Sequence, residues 1–278
     1  MGPGNRLSSV MKQTDITGPV LGACPGRPAR FGPGLLEKVA ELGSLRDAAA
    51  TLGLEERLAW NYLVGANNLS DQPLLCALAE NPAPTPHAQR LLGRTEALVL
   101  AFEDFLAAPG GGAFNQFQLR HQFLRRLEAR TSARNQFYCR VHSVLRERVN
   151  AVVTLELGGG DRLAAHITTH SAEELGLVAG RACHALIDPA WVEVRPDSPS
   201  GWNIRHNCLR GRVVRCVDDP VDAEVAIELA GGRIVLASMT RAEMAEKGIR
   251  LGQPAHALIQ ASQIILAVDE PCAGKAPA

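Results

Sequence analysis

The sequence carries no C-x-x-C pair, no H-E-x-x-H, no G-x-S-x-G and no glycine-rich phosphate loop. The patterns that announce a zinc site, a metalloprotease, a serine nucleophile or a nucleotide-binding turn are missing, so the chain reads as a non-enzyme without a metal-cation site. Its seven cysteines, at positions 24, 76, 139, 183, 208, 216 and 272, are odd in number and scattered. That argues against a disulfide framework and makes them small core fillers. Net charge is absent too: 29 Lys+Arg balance 29 Asp+Glu. Attraction to nucleic acid or membrane must then come from local asymmetry. No apolar run approaches the ~20 residues that a membrane span needs, and the N-terminus lacks a charged-then-apolar secretion signal. The expectation is a cytoplasmic protein with no membrane partner.

A chain of 278 residues has room for two or three domains. Residues 1–32 are rich in Gly and Pro and show no apolar period, which predicts a mobile arm. Residues 33–42, 45–52 and 54–66 place apolar side chains at three- and four-residue spacing, the signature of three helices, with Gly53 between the last two. After the loop "NPAPTP", Thr85 as N-cap and Pro86 as first helical residue open a long helix to about Ala108. A second helix is expected over about 114–129, so that 33–130 forms a helical unit.

Beyond residue 131 the period changes from helical to alternating, with hairpin signatures in "AVVTLEL-GGG-DRLAAHIT" and "EVAIELA-GG-RIVLASMT". The two hairpins belong to an internal repeat. A gapless shift of 72 positions (207 minus 135) superposes Asn135 on Asn207, Arg140 on Arg212, Glu156 on Glu228, Thr168 on Thr240 and Gly180 on Gly252, and "HALI" at 184–187 recurs at 256–259. Two copies of a small β unit, 131–197 and 203–270, are therefore expected, followed by a tail at 271–278. Their length suits a five-stranded barrel of the oligonucleotide/oligosaccharide-binding kind, with a helical turn at "SAEELGL". About 70 residues is near the lower limit for independent stability, so the copies should pack on each other.

The combination of "TSARNQ" at 131–136, the tandem β units and "GSLRDAAATLGLEERLAWNYL" at 43–63 resembles the molybdate-responsive transcription regulators of the ModE type, over about residues 33 to 269. The resemblance implies an α+β multidomain chain. An all-α winged helix-turn-helix with a long dimerisation helix would precede two tandem small OB-like β-barrels, the Mop domains. It further implies a homodimer, a DNA operator as partner, and molybdate or tungstate as oxyanion ligand.

In such a helix-turn-helix, Ser44 caps the first helix, Ala48 and Ala49 allow a close crossing, and residues 55–65 form the recognition helix. The candidate DNA-binding residues are Ser44, Arg46, Arg57, Trp60 and Asn61. Between residues 35 and 66, Lys38, Arg46 and Arg57 face Glu37, Glu41, Asp47, Glu55 and Glu56, a net of 3 − 5 = −2. Phosphate contacts would then fall to Arg57, Arg90, Arg94 and the tail residues Arg6, Lys12, Arg27 and Arg30.

A tetrahedral dianion needs converging donors and positive charge. The resemblance supplies Ser132, Arg134 and Asn135 in the first loop, and Thr168 and Ser171 in a T-x-x-S segment drawn from another copy or subunit. Asn207 and Thr240 are the survivors in the second copy, where Ile204, His206 and Glu243 replace Ser, Arg and Ser. Ser171 also reads as a plain N-cap with Glu174 completing a capping box. Where the family places a Lys before the last strand, Asp188 and Gln260 stand here. The first copy is thus the expected binding copy and the second mainly structural. Two alternatives remain: an intracellular molybdate-binding or storage protein whose helical unit only dimerises, and a DNA-binding regulator that has lost its ligand.

Overall fold

The computed structural model describes residues 32–76, 82–93, 131, 133–196 and 205–269. The expected arm, the helix over 114–129, the distal part of the long helix, Ser132, the linker at 197–204 and the tail lie outside the described residues.

Among the described residues three helices come first: α1 (Gly32–Leu42), α2 (Leu45–Thr51) and α3 (Glu56–Leu69). Ser44 caps α2 as its position predicts, its hydroxyl accepting from the Asp47 amide at 3.2 Å. Gly53, with φ 68°, makes the left-handed turn between α2 and α3 that a side chain would resist. A two-stranded antiparallel ribbon follows, β1 (Leu75–Cys76) with β2 (Ala83–Pro84), so part of the expected proline-rich loop pairs as strand. Residues 86–93 are helical, and the Thr85 hydroxyl accepts from the Ala88 amide at 3.2 Å.

The repeat folds as two five-stranded antiparallel sheets. Copy one supplies β3 (Asn135–Arg146), β4 (Asn150–Gly158), β5 (Asp161–Thr168), the short helix α4 (Thr169–Glu174), β6 (Ala182–Ile187) and β7 (Val192–Arg195). Copy two supplies β8 (His206–Asp218), β9 (Asp222–Leu229), β10 (Ile234–Thr240), α5 (Arg241–Glu246), β11 (Pro254–Gln260) and β12 (Ile265–Ala267). The sheet orders are β12-β6-β3-β4-β5 and β10-β9-β8-β11-β7. Each copy therefore gives its last strand to the other's sheet. The expected mutual packing takes the form of exchange, and one apolar core runs through both copies, from Phe137, Leu155 and Ile187 to Val225, Ile227 and Ile259. At the hairpin tips the backbones of Gly159 and Gly231 touch, and a Cβ on either would collide with the other's main chain.

Exchange leaves β5 and β10 as edge strands, and buried edges need partners for their backbone groups. Side-chain amides supply them. The Asn135 carboxamide donates to the Leu236 carbonyl at 2.7 Å and accepts from the Leu236 amide at 2.7 Å. Asn207 repeats the contact on Ala164, at 2.9 and 2.6 Å. Leu236 and Ala164 are themselves 72 positions apart (236 minus 164), so the two contacts are related by the repeat. Asn68 treats Ile234 the same way, donating to its carbonyl at 2.7 Å and accepting from its amide at 2.9 Å.

The helices pack their apolar faces on the second copy, while α3 also runs beside β3 of the first. A bulge in β8 between Val213 and Arg215 marks the position of Val214, which joins Ala226, Ile234 and Leu236 in an apolar cluster with Leu35, Ala59, Trp60, Leu63 and Val64. The corresponding residues of copy one are His142, Thr154, Arg162 and Ala164, a face too polar to hold a helix layer. Arg233, only 1% exposed, fastens the junction. Its guanidinium donates to the carbonyls of Leu157 in β4 (2.9 Å), Ser70 (2.8 Å) and Asn67 at the end of α3. Burial holds it below the usual arginine range. A cation among the last carbonyls of a helix is well placed against the helix dipole.

Candidate oxyanion site

The loop entering β3 is stapled by its own side chains. Thr131 Oγ1 donates to the Ala133 carbonyl at 3.0 Å, and Gln136 Nε2 donates to the same carbonyl at 3.1 Å. Arg134 leaves this loop exposed and spans two elements. One guanidinium nitrogen is ion-paired with Glu224 on β9, and another donates to Asn61 Oδ1 on α3 at 2.8 Å. Asn135, a candidate ligand by sequence, is fully buried and spends its carboxamide on Leu236; Asn207, 3% exposed, spends its own on Ala164. Both act as inter-copy clamps, because the buried backbone groups they meet have no strand partner.

Thr168 rather than Ser171 is the N-cap of α4: its hydroxyl accepts from the Ser171 amide at 3.0 Å. That corrects the capping-box expectation, since Ser171 lies inside the helix and Glu174 pairs with His170 at 3.5 Å. The Thr168 and Ser171 hydroxyls are 2.8 Å apart and form one polar pair. Thr240 caps α5 in the same manner through the Glu243 amide at 3.1 Å, but where copy one has Ser171 the second copy has Glu243, bound to Lys247 at 2.7 Å.

The clamps fix which donors can meet. Arg134 adjoins Asn135, which holds Leu236, four residues before Thr240; Thr168 follows Ala164, which Asn207 holds, by the same four positions. Within one chain the Arg134 loop is thus laid on the strand leading to Thr240, and the Thr168–Ser171 pair lies on the strand that receives the loop before β8. The expected set of Arg134, Thr168 and Ser171 is not assembled at one place. Asp188 does not approach Arg134 as a partner. It caps the turn Pro189–Trp191, accepting from the Ala190 amide at 2.9 Å, and Gln260 occupies the same place without a side-chain bond.

The five candidate DNA-reading residues all have intramolecular partners. Ser44 is spent as a cap, Arg46 pairs with Glu56 at 3.1 Å, and Arg57 with Glu55 at 3.7 Å. Asn61 accepts from Arg134. Trp60 is 4% exposed, packed on the second sheet with the Arg215 guanidinium 5.0 Å from its ring centre. A side chain so placed is part of the interface with the barrel.

Sequence reasoning missed Glu224, Arg215, Asn68 and Arg233. For three of them the signal was available as breaks in the repeat, where copy one has Val152 for Glu224, Ser143 for Arg215 and Asp161 for Arg233; Asn68 lies outside the repeat. Burial lowers the Arg215 guanidinium from its ordinary range, and the carboxylates of Glu224 and Glu56 pull it back. No group of three or more His, Cys, Asp or Glu suited to a metal ion occurs among the described residues.

Comparison with known proteins matches the TOBE domain at residues 131–194 and 205–266, the two copies of the repeat. The molybdenum-pterin-binding protein MopB of Rhodobacter capsulatus is 33% identical over 247 residues, covering 84% of this chain and 87% of its own. The molybdenum transport protein ModE of Azotobacter vinelandii is 30% identical over 246 residues, covering 84% and 90%. The DNA-binding transcriptional dual regulator ModE of Escherichia coli is 25% identical over 245 residues, with the same coverage of 84% and 90%. Likeness on this scale reaches across the helical part as well as both β copies, and the chain belongs to the ModE/Mop family of molybdate-binding proteins.

Proposed function

We propose that the chain is a cytoplasmic, homodimeric regulator of transcription that responds to molybdate or tungstate and controls genes of oxyanion uptake or use. The observation that carries this reading is the bond from Arg134, in the candidate anion loop, to Asn61 on α3, the helix that the sequence offers as the recognition helix. A ligand at Arg134 is thereby one residue away from the DNA-reading element.

The donor chemistry fits a tetrahedral dianion. The Arg134 guanidinium supplies charge, and Ser132 with the solvent-facing hydroxyl pair of Thr168 and Ser171 supplies neutral donors for separate oxygens. Because the clamps keep Arg134 and the Thr168–Ser171 pair apart within a chain, the full set meets when a second chain offers its own pair. Dimerisation is then a condition of tight binding, and ligand can bias the spacing of two helical units on an operator. The helices, the ribbon β1–β2 and the Ser44 cap support a winged helix-turn-helix.

A second reading is an oxyanion-binding protein without an operator. The exposed start of α3, with Glu55 and Glu56 beside Arg57, favours it, since acids there repel a phosphate backbone. Calorimetric titration of the full chain with molybdate tests what the readings share: heat with wild type, and at least a tenfold weaker association for Arg134→Ala, are expected. Absence of heat with wild type overturns both. A salt-dependent gel shift on upstream fragments separates them, because retention no better than on random DNA leaves only the binding protein.

A further inference from the structure

The ion pair at Arg134 has no equivalent in the other half of the repeat. Shifted by 72 (224 minus 152), Glu224 falls on Val152, while Arg134 falls on His206. A carboxylate has appeared on β9 at the one place where the surviving arginine of the anion loop lands. A carboxylate is a planar anion with two acceptor oxygens, and it meets a guanidinium through the same N–H donors that an oxyanion would use. The two cannot hold those donors together.

Glu224 is also placed to act beyond Arg134. It is 27% exposed on its side chain and lies in the field of Arg215, the arginine whose guanidinium covers Trp60 at 5.0 Å. Asn61, the next residue of α3, accepts from Arg134 itself. The charged groups that face this junction are Arg134 from the loop, Glu224 and Arg215 from the second sheet, and Glu56 and Arg57 from α3. With Glu55 on Arg57 and Arg46 on Glu56, the cluster holds four cations against three anions, so an extra anion enters where a cation is to spare. Moving Glu224 off Arg134 leaves it in the field of Arg215, and the side chain that registers the move is Trp60.

We propose that Glu224 is an internal competitor for the oxyanion at Arg134, and that its displacement carries ligand occupancy to α3 through Arg215, Trp60 and Asn61. This rests on the oxyanion reading of Arg134 given above and adds the residue that sets its affinity and its coupling. Glu224 is a positioning residue, since it acts by holding Arg134 and touches no ligand. The competition is modest in size, because a partly exposed ion pair contributes little.

The test uses the full-length dimer and sodium molybdate. Glu224→Gln keeps the shape and removes the charge, and roughly a 3- to 10-fold tighter association by calorimetry is expected. Glu224→Asp keeps the charge and should stay near wild type. For the coupling, Trp191 and Trp202 are replaced by Phe so that emission reports Trp60 alone. Molybdate should shift that emission in the otherwise wild-type protein, whereas Glu224→Gln should start shifted and respond little. Wild-type binding with Glu224→Gln no tighter overturns the competition while leaving the oxyanion reading intact. A Trp60 signal indifferent to saturating molybdate overturns the relay. No heat from either protein sinks this inference together with the reading beneath it.

Discussion

Asn135→Ala should weaken the fold far more than loss of one surface ligand would. The side chain is fully buried, and its carboxamide makes two hydrogen bonds of 2.7 Å to the amide and carbonyl of Leu236, a residue itself 2% exposed. Truncation leaves both backbone groups without a partner and out of reach of water. A buried unsatisfied group costs about 1–3 kcal/mol, so the pair should cost about 2–6 kcal/mol, and the small cavity adds to it. Asn207→Ala should cost less, although it loses bonds to Ala164 and a longer one of 3.3 Å to the Ile259 carbonyl, because Ala164 is only half-buried and water can replace the amide. Urea unfolding of both variants, followed by circular dichroism, reads the difference directly. The double variant should fall short of the sum, as both residues hold one interface. A loss below about 1 kcal/mol for Asn135→Ala, or a larger loss for Asn207→Ala, would refute the clamp argument.

Arg233→Leu removes the donor from carbonyls of α3, of the turn after it and of β4, and should lower stability by about 3 kcal/mol, seen as a drop in melting temperature; a neutral outcome would show that the helices do not depend on it. Asp161 has its carboxyl raised above 3.8 by burial, opposed by a bond from the Gly231 amide. A raised carboxyl pKa means that the folded state binds the proton more readily, so the charged form costs stability above the folded pKa and the cost fades as pH falls through it. Asp161→Asn should therefore melt higher than wild type at neutral pH, with the gap closing below about pH 4; a gap that does not change with pH would contradict this.

The helical and sheet elements were legible because each depends on local pattern. Ser44 before α2, Gly53 after it, Thr85 before residues 86–93 and the glycine pairs at the hairpin tips sit where capping and turn chemistry require them. The anion loop and the T-x-x-S segment were legible as residue types. Their meeting was not, because the distance between them depends on which copy's edge each loop crosses. Asn135 shows the gap well: an amide beside an arginine in a polar loop reads as a ligand, whereas its role comes from a backbone strand 101 positions away.

The duplication itself, with its 72-residue spacing, was determined by the sequence alone (207 minus 135), since gapless identities need no coordinates. The apolar face of Val214, Ala226, Ile234 and Leu236, set against His142, Thr154, Arg162 and Ala164, became visible as the seat of the helices only once the structure brought those four together. Only the tertiary structure decided that the copies trade their last strands and cross their loops. Strand pairing is set by hydrogen bonds between backbones that look alike in every residue, so a strand's own side chains do not say which of two near-identical sheets it will join.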